Sequence, residues 1–556
     1  MSLITSLSIK NYRGIKSLSH DFGSERFVIL IGRGDSGKSS LLSAIFSVLS
    51  PSWNLTFSDL DFYNQDTNAP IEIEASIKEL PKELLKDSKF GLYIQNDLND
   101  DCEDKDLTIK LVLSVDNSLE PKWVVKARNN SDLEDKTISA SDRALLAVNF
   151  ISDYTDNQFS YNKRSPLYSL TKDTLEDGTT IELVKSQLIR SMTLSVEKNI
   201  LQPLNAPLTA LKQTAEKLGI SITNLSAQID IKENPYTGSS IALHDNNLPY
   251  RLHGKGSKRL MSIAIQSELT KQGGIVLVDE LEQGLEPDRI ITLTRILKET
   301  TSGQVFITTH SLNVILEASW NNLFVLNKGA NSIFTLQESL DSCRRSNPQA
   351  FFAKKIICCE GKTEQGFIRA MDRWIWKKYH TTLSANGVVT VNAGGGDKMY
   401  TYAVELKNLG YDTCVFADND KYTELENKIK VALEAEVRVF LCEKENCFER
   451  QLLSDLSWSH FVEITTCTAE GFPSNNINIS NDLRNKINTV QDETEQNKIK
   501  ETIIELSIAK HKEWFKHIPG GEFLGKVFFR AFDDIEDDKM SKHTVVQLLN
   551  WCGVNQ

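Results

Sequence analysis

The segment IGRGDSGKSSLL, Ile31 to Leu42, constrains this chain more than any other stretch. Its centre, Gly32-Arg33-Gly34-Asp35-Ser36-Gly37-Lys38-Ser39, fits the spacing G-x-x-x-x-G-K-[ST]. An apolar run, RFVIL, stands before it and an amphipathic one, SLLSAIFSVL, after it, so the order is strand, tight turn, helix. In that setting the glycines let successive N–H groups curl around phosphates, and the helix N-terminus adds partial positive charge. Lys38 then reaches the β- and γ-phosphates of ATP and the Ser39 hydroxyl ligates Mg2+, while Gly32, Gly34, Asp35, Ser36, Gly37 and Ser40 complete the cradle.

Two later strands fit the same site. GGIVLVDELEQGLEP, Gly273 to Pro287, is an apolar strand ending in Asp279-Glu280. The first acid is placed to hold Mg2+ through water, the second to activate the attacking water. GQVFITTHS ends at His310, whose imidazole is placed to sense the γ-phosphate. A lone histidine at a strand end is ordinarily a surface or core residue; its place third in this series is what assigns it a role.

A second Gly-Lys-Thr occurs in IICCEGKTEQGF, Ile356 to Phe367, and it is a look-alike. The first glycine of a phosphate loop would have to fall at Ile356, inside an apolar strand, and Glu360 sets a carboxylate where phosphate would sit. The flanking acids carry the information instead. Glu360 ends the strand and Glu364 lies one turn into the next helix; two strands on, TCVFADND ends with Asp418 and Asp420, two residues apart and on one side of an extended chain. A parallel sheet would gather these four carboxylates, whose repulsion a hard divalent cation would relieve.

Composition narrows the remaining classes. The 556 residues suffice for about two to four domains. No apolar run approaches the roughly 18 residues of a membrane span, and the N-terminus has no signal-like core, so a cytoplasmic protein is expected. Nine scattered cysteines without Cys-x-x-Cys pairs read as reduced thiols. The net charge of −12 argues against constitutive tight nucleic-acid binding, although acids that gather around metals act as a cation site. QNDLNDDCEDKDL, Gln95 to Leu107, is expected as a solvated loop or hairpin tip.

Along the chain, the opening SLITSLSIKNY and the runs IEIEASIKEL and LTIKLVLSVD alternate as antiparallel strands. From about 165 to 227 the pattern is helical, an insertion or dimer-forming arm, with ordinary core helices as the alternative. The basic stretch DSCRRSNPQAFFAKK, Asp341 to Lys355, looks like a linker. Beyond it strands and helices alternate cleanly to about residue 441, which predicts a parallel sheet with its ligands at the carboxyl ends of the strands. The last hundred residues are mostly helical. The fold class is therefore α/β, divided into 1–345 and 350–556.

The first part resembles the ABC-type ATPase heads of the SMC, RecF and OLD families: LSIKNYRGI matches their opening strand, and YRLHGKGSKRLMSIAI lies where their signature segment lies. That resemblance implies that Gly254, Gly256 and Ser257 contact phosphate across a dimer of heads. The chain departs from it at His253, where the families usually have Ser, and at Leu281 and Glu286, where they have Pro and His. The second part, Phe351 to Glu449, resembles a Toprim domain, with NAGGGDK, Asn392 to Lys398, as its central turn. The two in this order resemble the OLD-family nucleases, which include the Gabija nuclease subunit and nucleases accompanying some retrons. The resemblance implies a two-metal phosphodiesterase acting on DNA, double-stranded by expectation, with Glu360, Glu364, Asp418 and Asp420 as ligands of Mg2+, with Mn2+ or Ca2+ as alternatives. It also implies a further acid, Glu449 in preference to Glu445, and a late lysine, Lys526, to steady transition-state charge. A homodimer or homotetramer follows, as do a defence role and a helicase or reverse-transcriptase partner. A DNA-binding repair scaffold without cleavage, or a nuclease acting on tRNA, are the competing readings.

Overall fold

The computed structural model describes residues 2–95, 107–128, 133–151, 156–161, 165–172, 183–184, 204–230, 240–270, 273–300, 303–327, 332–466, 479–509 and 514–554. The chain divides into two compact units, Met1–Leu336 and Gln337–Gln556.

In the first unit the alternating runs pair as read. Leu3–Tyr12 lies between Ile15–Asp21 and Ile71–Lys78, and the antiparallel sheet continues through Ile109–Val115, Pro121–Val125 and Lys136–Thr137. The tip expected after Gln95 lies mostly outside the described residues, but Gln95 and Thr108 are bridged at its base. A second sheet runs Ile333–Thr335, Leu323–Leu326, Phe27–Ile31, Gln304–Thr308, Ile275–Val278, Val148–Ile151; all are parallel except the first, which is antiparallel to its neighbour. The helix Lys38–Leu49 fills the space between the sheets, burying Leu41, Leu42, Ala44, Ile45, Val48 and Leu49 in one core with residues of both. Three strands of the parallel sheet thus end at one edge: Phe27–Ile31 into the phosphate loop, Ile275–Val278 into Asp279-Glu280, and Gln304–Thr308 towards His310. The expected helical insertion is described only in part, as helices Pro166–Lys172 and Asn205–Lys217, the rest lying outside the described residues.

The second unit begins earlier than expected. The supposed linker is folded: Asp341–Ser346 is helical, Arg344 is buried with its guanidinium 2.7 Å from Asp341, and Leu340, Cys343 and Phe351 are wholly enclosed. Its charged letters hid an apolar face. Beyond it four parallel strands stand in the order Val388–Asn392, Lys355–Cys359, Asp412–Ala417, Arg438–Leu441. The helices Lys362–Tyr379, Lys398–Asn408 and Tyr422–Glu434 connect them, and from Phe448 on the elements among the described residues are helices.

One contact sets the shape of this unit. The helix Ile518–Arg530 lies against Lys362–Tyr379 so closely that a Cβ on Gly366 would sit 2.2 Å from the Ile518 carbonyl oxygen, and one on Gly521 2.0 Å from that of Thr363. Backbone cannot yield as a side chain can, so alanine at either place must part the helices. We expect Gly366→Ala and Gly521→Ala each to destabilise the protein by about 1–3 kcal/mol or more in thermal or urea unfolding. Lys526→Ala, on the exposed side of the same helix, should stay within about 0.5 kcal/mol.

Candidate functional sites

The phosphate loop has the backbone its sequence demands. Gly32 has φ 143° and faces the Leu326 carbonyl so closely that a Cβ would lie 2.1 Å from its oxygen, and Gly37 has φ 97° at the helix start. Gly34 and Asp35 are exposed, the latter also left-handed at φ 60°. The Lys38 ammonium curls into this loop, donating to the carbonyls of Gly32 and Arg33 at 2.9 Å each and to Ser36 Oγ at 3.4 Å. Burial lowers its pKa to about 8, against the opposing pull of Asp279, Glu282, Glu280 and Asp35. Ser40 is half-buried beside Gly14.

Opposite the loop, Asp279 Oδ1 accepts from Ser39 Oγ at 3.0 Å and from Thr308 Oγ1 at 2.5 Å. The hydroxyl and the acid expected to share a cation therefore meet. Glu280 has φ 48° and its amide donates to Thr308 Oγ1 at 2.8 Å, a strained turn fixed from the neighbouring strand. His310 lies within the field of Lys38; burial first, and then that charge, lower its pKa, so the imidazole is neutral near pH 7. Gly254 is exposed and Ser257 half-buried at the start of helix Lys255–Thr270. Gly256 also has a role within its own chain, since a Cβ there would meet the Gly284 carbonyl oxygen at 2.5 Å.

Sequence reasoning missed two supports. Glu282, the third acid of DELEQ, accepts from Thr309 Oγ1 at 2.6 Å and from the His310 amide at 2.5 Å, tying one strand end to the next. Arg259 is buried and donates to the backbone carbonyls of Asp279 and Glu280. A third acid in DELEQ was a visible signal; nothing in the signature segment marked Arg259.

In the second unit the GKT segment has no phosphate loop: Lys355–Cys359 is strand, Gly361 is extended at φ −142°, and the helix begins at Lys362. The parallel register sets Cys359 beside Phe416, so Glu360 and Asp418 leave adjacent strands at one edge. Asp418 is raised far above the usual carboxylate range, first by burial, then by the charge of Glu360 and a hydrogen bond shared with it, then by Asp420 and Glu364. Glu364 is pushed up to about 7 by burial and, beyond that, by Glu449 and Glu360. Glu449 is buried and bonded to Thr363 Oγ1 at 3.1 Å, whereas Glu445 is exposed. The structure thus sets Asp418 within the fields of Glu360, Asp420 and Glu364, and Glu364 within those of Glu449 and Glu360.

Around them the backbone is pinned. Asn419, between the two aspartates, donates Nδ2 to the Cys442 carbonyl at 2.9 Å, and its own amide and carbonyl bond to Asn446 and Glu445. Gly394, Gly395 and Gly396 all have positive φ, and the Gly395 amide donates to the Glu360 carbonyl at 2.8 Å, seating the glycine turn against the acids. Tyr400, buried, has its phenol pKa raised by burial and by the charges of Glu360 and Asp418. Neither Asn419 nor Tyr400 was singled out in the sequence.

Lys526 stands on the helix that packs against Lys362–Tyr379. It is exposed eight residues into helix Ile518–Arg530, about 12 Å along its axis, one residue past Gly525, which packs on Ala370 and Phe367 rather than on Glu364. The helix phase, unreadable from GGEFLGKVFFRAF alone, turns it outward. The donor set of the five acids is all oxygen and suits a hard divalent cation. Among the described residues no three His, Cys, Asp or Glu side chains bracket a single metal-sized point. One cause is visible: Glu364 Oε2 accepts from the Gly361 amide at 3.0 Å and caps its own helix, while Glu449 is held by Thr363.

Among the described residues no helix is long and apolar enough to cross a membrane, and seven cysteines are free thiols.

A phosphate-loop ATPase unit followed by a carboxylate-edged parallel sheet defines the class of ATPase–Toprim proteins. The chain belongs to the family described as "AAA domain, putative AbiEii toxin, Type IV TA system", which matches residues 27–317. Residues 351–420 match "Overcoming lysogenization defect protein-like, TOPRIM domain", an interval that includes Glu360, Glu364, Asp418 and Asp420 and stops short of Glu449. An "ATP/GTP phosphatase" of Helicobacter pylori is 23% identical over 339 residues, covering 56% of this chain and 86% of its own length. Two solved structures align with it at TM-scores too low to add to the fold. They are a Smc head bound to the C-winged helix domain of ScpA (17% identity, 60% of this chain, 98% of that chain, TM-score 0.38) and the recombination mediator RecF-ATPrS (15%, 60%, 98%, 0.36).

The pKa of Glu364 gives a sign to test in metal-free protein. Its folded pKa, about 7, lies above the ordinary 4.5, so the folded state holds a proton that the unfolded state has released between those values. Stability should therefore fall as pH rises from about 4.5 to 7, by about 3 kcal/mol for this group. Glu364→Gln should flatten that slope in urea unfolding curves. An unchanged slope would show that Glu364 is not the protonated acid.

Proposed function

We propose that the protein is an ATP-regulated, divalent-metal-dependent endonuclease that cleaves DNA. The observation that carries this reading is the meeting of Glu360 and Asp418, with Glu364, Asp420 and Glu449, at one edge of a parallel sheet. Such a set at neutral pH either holds protons or holds cations. When bound there, two cations would activate water and stabilise the leaving oxygen of a phosphodiester. Glu360, Asp418 and Asp420 are the residues that would hold them, with Glu364 joining once it leaves its helix cap. The open glycine turn, where nothing lies within 4 Å of a Cβ on Gly394, Gly395 or Gly396, leaves room for a substrate phosphate beside the acids.

The head supplies control. Ser39 and Asp279 are set to share Mg2+, Lys38 to reach the phosphates, Glu280 to act on water and neutral His310 to respond to the γ-phosphate. The named activity of the Helicobacter relative supports nucleotide hydrolysis at this site. Gly254, Gly256 and Ser257 would complete it across a homodimer, which the OLD-type layout also favours, and a cytoplasmic role in defence against invading DNA follows from the same layout. A helicase or reverse-transcriptase partner is the corresponding expectation.

The test is nicking of supercoiled plasmid with Mg2+ or Mn2+, with and without ATP. Asp418→Ala should drop cleavage to background while leaving ATP binding intact, and Lys38→Ala should abolish ATP binding and alter how ATP affects cutting. Full nicking by Asp418→Ala would overturn the site. DNA binding without any nicking under every condition would favour a scaffold, and cleavage confined to tRNA would change the substrate.

A further inference from the structure

We infer that the outer face of helix Lys362–Tyr379 is a track for a single-stranded nucleic-acid segment flanking the scission point. The inference rests on the nuclease reading above and adds where the substrate strand runs. At 3.6 residues per turn, Lys362, Arg369, Arg373, Trp376 and Lys377 fall within an arc of about 100°, and all five are exposed. The stripe extends about 22 Å from Lys362, beside the carboxylates, to Lys377, a reach of about six stacked nucleotides.

Charge on this face runs against the rest of the chain. The protein as a whole carries −12, yet here four cations face one carboxylate. That carboxylate is Glu522 of the neighbouring helix, shared by Arg373 at 2.8 Å and Arg369 at 3.7 Å. Asp372, at the edge of the arc, is turned onto the Leu383 amide at 2.6 Å. Both arginine side chains remain more than half exposed, so these ion pairs are weak and a phosphate can replace them.

Trp376 identifies the kind of partner. It is 57% exposed at one edge of the arc, next to Arg373 and Lys377, so a large ring is left accessible for a base to stack on. Base–aromatic stacking beside a cationic groove is the mode by which single strands are held without sequence preference, whereas a duplex keeps its base faces covered. A single strand therefore fits the stripe better than a duplex does.

The experiment uses full-length Asp418→Asn protein without divalent cation, so that binding is read apart from cutting. A labelled single-stranded 20-mer and its duplex are titrated by fluorescence anisotropy over a range of KCl. Trp376→Ala should weaken single-strand binding about five- to a hundred-fold, leaving the salt slope and duplex binding unchanged. The triple Arg369→Ala/Arg373→Ala/Lys377→Ala should lower the slope of log K against log salt by about 2. Glu522→Gln, which frees both arginines, should tighten binding, a gain that misfolding does not mimic. Parent-like binding by the triple variant and by Trp376→Ala would overturn the track. So would a shift in oligomeric state with Trp376→Ala at unchanged DNA binding, since the face would then contact a second copy. Loss of these effects while plasmid nicking persists would remove the track and leave the nuclease reading standing; the reverse would do the opposite.

Discussion

Like charges brought together under burial are the constraint on which the second unit turns. Glu360 and Asp418 leave adjacent parallel strands, and Glu364 and Glu449 reach the same place from helix starts. Burial and mutual repulsion hold Asp418 and Glu364 in their neutral forms at a pH where free carboxylates ionise. Such an arrangement persists only because the surrounding backbone over-determines it. The glycine contact between two helices fixes the start of Lys362–Tyr379, Asn419 clamps the turn between two aspartates, and Gly395 locks the glycine turn onto Glu360. A group of acids that stability alone would not retain is the pattern expected of a site kept for chemistry.

The first unit follows the same rule with opposite charge. Parallel strands end together, and the helix that follows the first of them turns its N-terminus towards Asp279, at the end of Ile275–Val278. Lys38 is the buried cation, held by loop carbonyls, and Asp279, Glu280 and Glu282 are its counter-charges. Because Thr308, Thr309 and the His310 amide bond to Glu280, Asp279 and Glu282, a change at one strand end is felt at the next. That linkage gives a nucleotide-dependent signal a physical route within the head.

Much of this was legible in the sequence, for a definite reason. Apolar strands bounded by glycine turns and amphipathic helices leave little freedom in a parallel sheet, so Asp279, Glu360 and Asp418 could be set at strand ends, and Lys38 at a helix start, from their letters alone. Glu449 was preferred to Glu445 because it opens a helix, and the structure buries the former and exposes the latter. What was not legible depends on contacts between distant segments. Arg259 and Asn419 act on backbone carbonyls, for which no spacing rule exists. The side of its helix on which Lys526 stands was not legible either, because it is set by what the helix packs on. The stretch Asp341–Lys355 looked like a linker because it is basic and contains a proline, yet Arg344 is neutralised by Asp341 and buried.

The central claim, that Glu360, Glu364, Asp418 and Asp420 form a cation site, is tested most directly by Mn2+ binding followed by electron paramagnetic resonance. Full-length Lys38→Ala protein, with no nucleotide present, leaves the second unit as the main binder. The account predicts tight Mn2+ binding that Asp418→Asn abolishes. Equal Mn2+ binding by the two proteins would contradict it.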